Sequence, residues 1–162
     1  MVIVHIMGTK PPSRQRAGFS FVELMVVMAI IVLLAAVAGF AYLRARVTTS
    51  GQIAFAAVRH YNTNLQLYFI VKQQYPADLT LAGPPTSDPP FLTPNYIGDG
   101  TTATKQGYTF VYTSLNPTSY TLVADPVTPG ITGERHFFTD ETMTVRFTDQ
   151  NRTATSTDPP VL

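Results

Sequence analysis

Hydrophobic positions are distributed along the chain in three different ways. From residue 24 to residue 43, twenty consecutive residues carry no polar side chain except the Tyr42 hydroxyl. Twenty helical residues cover about 30 Å, the hydrocarbon thickness of a bilayer, and a soluble core helix has little need of an all-round apolar surface. The pattern predicts a membrane-inserting helix. Over residues 52–74 a helical period appears instead, with Ala54, Val58, Tyr61, Leu65 and Tyr68 at steps of three or four. Gln52, Arg59, Asn62, Gln66 and Gln73 fall between them as the polar face. This half is amphipathic and expected to lie against a domain, with Tyr61, Tyr68 and Phe69 serving as core. Tyr75-Pro76 closes it, because proline disfavours helical backbone in the preceding residue.

From Gly107 the period falls to two. Tyr108, Phe110 and Tyr112 alternate with Thr109, Val111 and Thr113, and Asn116-Pro117-Thr118 turns the chain into Tyr120-Thr121-Leu122-Val123-Ala124. A second pair of strands is expected at residues 135–138 and 143–147, joined through Thr139-Asp140-Glu141-Thr142. Gly83-Pro84-Pro85 and Asp88-Pro89-Pro90 mark an irregular connection. The expected fold is α+β: a long N-terminal helix, apolar in its first half, packed by its second half on an antiparallel sheet of about four strands. The expected boundaries are a leader at 1–18, a transmembrane part of the helix at 19–43 and its amphipathic half at 44–75. A Pro/Gly-rich loop at 76–106, the sheet at 107–148 and a flexible tail at 149–162 complete the chain. Gly39 and the stretch 48–51 are candidate points of local loosening in the helix.

Composition narrows the function classes. Only 13% of the 162 residues are charged, and 11 Lys and Arg against 10 Asp and Glu leave no broad basic surface for nucleic acid. The absence of cysteine removes thiolate metal sites, thiol nucleophiles and disulfide staples. The positive charge is concentrated before the apolar run, in Lys10, Arg14 and Arg16 with no acid among them, which places the N-terminus in the cytoplasm and the remainder outside. Met1 and Met7 are both possible starts.

A conventional secretory signal would be cut after Ala38, at the small-residue site Ala36-Val37-Ala38. A plain signal anchor would keep the run uncut. Neither accounts for Glu23 at the mouth of the apolar segment, since a carboxylate inside such a segment costs roughly 2.5 to 3.5 kcal/mol at its centre and less near an end.

Arg16-Ala17-Gly18-Phe19-Ser20-Phe21-Val22-Glu23-Leu24-Met25-Val26-Val27 resembles the N-terminal signature of type IV prepilins and type II secretion pseudopilins. That resemblance implies cleavage by a prepilin peptidase after Gly18, methylation of the new amine on Phe19, and an assembly role for Glu23. The new cation and Glu23 of a neighbouring subunit would pair in a low-dielectric setting and set the register of bundled helices. Cutting upstream of the run keeps the anchor, whereas cutting after Ala38 discards it. The family reading implies a precursor in the bacterial inner membrane and self-assembly into an extracellular pilus filament, using an inner-membrane platform and its separate ATPase. The alternative within the family is the major pseudopilin of a periplasmic type II secretion pseudopilus. The stretch from Ala124 to Glu141 also looks like the C-terminal part of cysteine-free pilin-like proteins.

No enzymatic constellation, cofactor or resident metal is expected. His5, His60 and His136 lack the spacing of a zinc pair. Asp140-Glu141 is expected as a solvated turn, calcium being the minority reading. Asn151-Arg152-Thr153 fits the N-glycosylation pattern, with a bare polar tail preferred.

Overall fold

The computed structural model describes residues 18–161. The chain divides into two units, Met1–Gly39 and Phe40–Leu162. Helix α1 runs from Phe21 to Lys72, 52 residues, with Gly39 and residues 48–51 inside it. It ends three residues before Tyr75. Gln73 turns left-handed at φ 57° while its N–H still reaches the Phe69 carbonyl at 2.7 Å, and the Tyr75 N–H leaves the helix for the Pro117 carbonyl at 2.7 Å.

In the Phe40–Leu162 unit, five strands form one antiparallel meander in chain order. They are β1 (Thr102–Lys105), β2 (Tyr108–Asn116), β3 (Ser119–Pro126), β4 (His136–Asp140) and β5 (Arg146–Thr148). The register pairs Phe110 with Ala124, Tyr112 with Leu122, Leu122 with Thr139 and Ala124 with Phe137. With a side-chain period of two, Tyr108, Phe110, Tyr112, Tyr120, Leu122, Ala124 and Phe137 share one buried face. Ala54, Val58, Tyr61, Leu65 and Tyr68 of α1 complete that core, as the helical period predicts. Tyr61 meets Phe110 with ring centroids 5.6 Å apart, and Phe55 meets Phe137 at 6.1 Å. Phe69 is half-buried against the same core.

The sheet has five strands where about four are expected. β1 lies inside the segment expected as a loop, where Thr-Ala-Thr-Lys offers a single buried apolar residue, Ala103, on an edge strand too short to show alternation. β5 begins at Arg146, not at 143, because Met143 is left-handed at φ 59°. The rest of the 76–106 segment is also more ordered than its Pro and Gly content suggests. Asp78 caps a single 3-10 turn at Leu79–Ala82, its Oδ1 accepting from the Thr80 N–H at 2.7 Å. Helix α2 (Pro94–Ile97) follows, and Leu79, Ala82, Leu92 and Ile97 are buried in the core.

The expected flexible tail is a second correction. The Phe147 N–H donates to the Pro159 carbonyl at 3.0 Å, and the Val161 N–H donates to the Val145 carbonyl at 2.8 Å, so the returning chain occupies the free edge of β5. Buried Asp158 closes the loop between. It takes Arg152 Nη1 at 2.8 Å and Nη2 at 2.5 Å, and the Thr155 N–H at 2.7 Å. A charge-assisted clasp thus closes the C-terminal loop of a chain without cysteine.

Candidate functional site

The residues singled out by the sequence sit at the start of α1. Lys10, Arg14, Arg16 and both candidate start residues lie outside the described residues. Gly18, Phe19 and Ser20 precede the helix in irregular backbone. The Leu24 N–H donates to the Ser20 carbonyl at 3.2 Å, which makes Ser20 the residue from which the helix is launched. Glu23 then falls in the first turn, where the unpaired N–H groups of the helix favour a negative charge. Ser20 and Glu23 have the spacing of a capping box, yet among the described residues neither side chain makes a hydrogen bond or ion pair. A Cβ added at Gly18 would meet nothing within 4 Å. Among the described residues nothing crowds that position.

Every described residue from 18 to 39 is exposed. Phe19 is 79% exposed, and Met25, Ile30, Leu33 and Val37 are all above half. An apolar surface of this extent is stable only when lipid or other helices cover it. Ala29, Ala35, Ala36, Ala38 and Gly39 would let neighbouring backbones approach closely within such a bundle.

The remaining candidate residues are engaged in the fold of the Phe40–Leu162 unit. His60 is half-buried and stacks on Tyr96 with ring centroids 4.3 Å apart; burial first, and then the nearby Lys105 ammonium, lower its pKa. His136 is buried with Nδ1 2.6 Å from Asp125 Oδ1, and Asp125 Oδ2 accepts from the Thr153 hydroxyl at 2.8 Å. Thr153 of the Asn-Arg-Thr pattern is thereby tied to β3, while Asn151 is exposed. Asp140 Oδ1 accepts from both the N–H and the hydroxyl of Thr142, at 3.0 and 2.6 Å, which makes a self-contained turn. Among the described residues no group of three or more His, Asp or Glu side chains gathers to hold a cation.

One residue placed on the polar face belongs elsewhere. Asn62 is buried, and its amide bridges α1 to the sheet. Nδ2 donates to Thr139 Oγ1 at 2.9 Å and to the Met143 carbonyl at 3.1 Å, while Oδ1 accepts from the Tyr120 hydroxyl at 3.2 Å and from Thr139 at 3.1 Å. The spacing carried a signal, since position 62 is four after Val58 and three before Leu65. A polar residue on that stripe needs buried partners, and only the tertiary fold supplies them.

A helix long and apolar enough to cross a membrane, followed by a small α+β unit, fits a membrane-anchored protein. Residues 13–39 match the family model of the prokaryotic N-terminal methylation motif. The chain thus carries an N-terminal methylation motif at the head of a long helix, followed by a five-stranded antiparallel sheet in an α+β fold. No curated protein matches the chain.

Proposed function

We propose that this chain is the precursor of a structural subunit of a type IV pilus. A prepilin peptidase hydrolyses the Gly18–Phe19 bond, leaving a carboxylate on Gly18 and an amine on Phe19. The amine then takes a methyl group from an electrophilic donor and releases a proton. The coincidence that carries this reading is the methylation motif falling where irregular backbone at Gly18 and Phe19 meets a wholly exposed apolar helix.

Self-assembly follows from what the helix leaves uncovered. Moving from lipid into a helix bundle exchanges one apolar setting for another, so direct contacts must guide the choice. The Phe19 amine of one subunit pairs with Glu23 of its neighbour, neutralising two charges that would each be costly alone in a low-dielectric bundle. The inner-membrane assembly platform and its ATPase supply the work of extraction.

The test is the mass and N-terminal sequence of the chain recovered from cells, together with electron microscopy of sheared surface fibres. A mature chain beginning at methylated Phe19 and present in fibres is the expected result. A chain beginning at Gly39 would overturn the proposal in favour of a secreted domain. Methylated Phe19 confined to the periplasm would move the subunit to a type II secretion pseudopilus.

A further inference from the structure

Two turns of the Phe40–Leu162 unit border the stretch of α1 where the apolar run ends. Gly130 and Glu134 line one groove with Leu43, Arg44, Val47 and Thr48. Gln106 lines another with Tyr42, Arg46 and Ile53. By length, a span beginning at Leu24 is complete near Leu43, so the α1 residues that line these grooves follow directly on the apolar run. Tyr42, Arg44 and Arg46 are the residue types that settle at such a boundary.

The turn at 127–133, which borders these α1 residues through Gly130, presents apolar side chains to the outside. Val127 is 55% exposed and Ile131 63%. The turn is held by its own bonds: the Ile131 and Thr132 N–H groups donate to the Thr128 carbonyl at 3.1 and 2.9 Å, and the Gly130 N–H to the Gly133 carbonyl at 2.8 Å. The Val127 N–H ties it to the Gly107 carbonyl at 2.9 Å. Ile131 is therefore projected by a braced turn and has no need of an unfolding step to reach a partner.

We propose that this turn docks the precursor on the lipid surface, resting on the membrane-anchored reading above. Ile131 and Val127 enter the headgroup zone of the leaflet at the far end of the span, and Arg44 and Arg46 hold the phosphates of anionic lipids. Glu134 is exposed on the groove beside Arg44. The contact orients the Phe40–Leu162 unit on the bilayer before extraction and is given up when the subunit leaves.

Because the chain has no cysteine, single labels are unambiguous. The full-length protein carrying a polarity-sensitive fluorophore through Ile131→Cys, Leu115→Cys or Met28→Cys is reconstituted into phosphatidylglycerol-containing vesicles, and iodide quenching is measured. Leu115 is the aqueous reference, about 24 Å along β2 from its start, and Met28 reports the span. The expected result is shielding at 131 and 28 and free quenching at 115. Arg44→Gln and Arg46→Gln should each lower the ratio of docked to undocked label by about fivefold, the equivalent of about 1 kcal/mol per basic residue at an anionic surface.

Quenching at 131 equal to that at 115, with 28 still shielded, overturns the docking and leaves the anchored precursor standing. Quenching at 28 overturns the anchored reading itself. Shielding at 131 that disappears as protein is diluted in lipid assigns the turn to a second copy and overturns the lipid contact, and an unchanged ratio in the arginine variants overturns their phosphate role.

Discussion

Asn62→Ala tests whether one buried amide fixes the seating of α1 on the sheet. The side chain is 5% exposed and makes four hydrogen bonds to three residues. Its removal leaves the hydroxyls of Tyr120 and Thr139, both fully buried, and the Met143 carbonyl without that partner. A buried group left unpaired costs about 1–3 kcal/mol; the bond to the Met143 carbonyl is only part-buried, so its loss contributes less. The two hydroxyls together imply a loss of about 3 kcal/mol, which for a domain of this size lowers Tm by about 10 °C. Tyr120→Phe should cost only about 1 kcal/mol, since Asn62 Oδ1 still accepts from Thr139. The two losses should overlap in the double variant, because they break one network. Near-ultraviolet circular dichroism of the tyrosines during thermal unfolding of the full-length chain in detergent gives all three values. A loss within about 1 kcal/mol for Asn62→Ala, or strict additivity with Tyr120→Phe, would refute the network as the seating device.

Glu23→Ala should leave membrane insertion intact and reduce fibre yield, read by membrane fractionation and counting of sheared filaments; normal fibres would remove its assembly role. Gly133→Ala should destabilise by about 1–3 kcal/mol in the same thermal assay, because the added methyl runs into the ring of Tyr108, which is fully buried and donates to the Arg135 carbonyl at 3.0 Å. Arg152, and then the Thr155 N–H, hold the Asp158 carboxyl well below the usual aspartate range. Its stabilisation of the C-terminal loop is therefore complete above that range and drains away as the pH falls toward the depressed folded value. Protection of the Thr155 amide from hydrogen exchange, corrected for pH, should fall on acidification below the ordinary aspartate pKa, and Asp158→Asn should lack that dependence and be poorly protected throughout.

Local pattern was enough for the elements whose signal is carried by neighbouring residues. The run at 24–43, the stripe from Ala54 to Tyr68 and the alternation from Tyr108 to Ala124 each repeat over enough residues to specify their element and its buried side. The signature around Gly18, Phe19 and Glu23 was legible for the same reason, being contiguous. β1 was not, because an edge strand of four residues with one buried side chain has no period to read. The order of the 76–106 segment was hidden as well. Its buried Leu79, Leu92 and Ile97 are isolated apolar residues among prolines and glycines, and find their places only after the sheet exists.

The sequence by itself determined that this chain carries a membrane-length apolar helix bearing an N-terminal methylation motif, followed by an amphipathic helix and an aromatic antiparallel sheet. The tertiary structure alone decided where the polar residues go. Asn62 is drawn inward because Thr139, Tyr120 and Met143, far away in sequence, converge on it. The C-terminal residues are held because β5 offers an open edge and Arg152 meets Asp158. Ile131 is presented outward by a turn braced against Gly107. Hydrophobic periodicity is a property of adjacent residues, whereas hydrogen-bond satisfaction and the placement of turns depend on which distant segments meet.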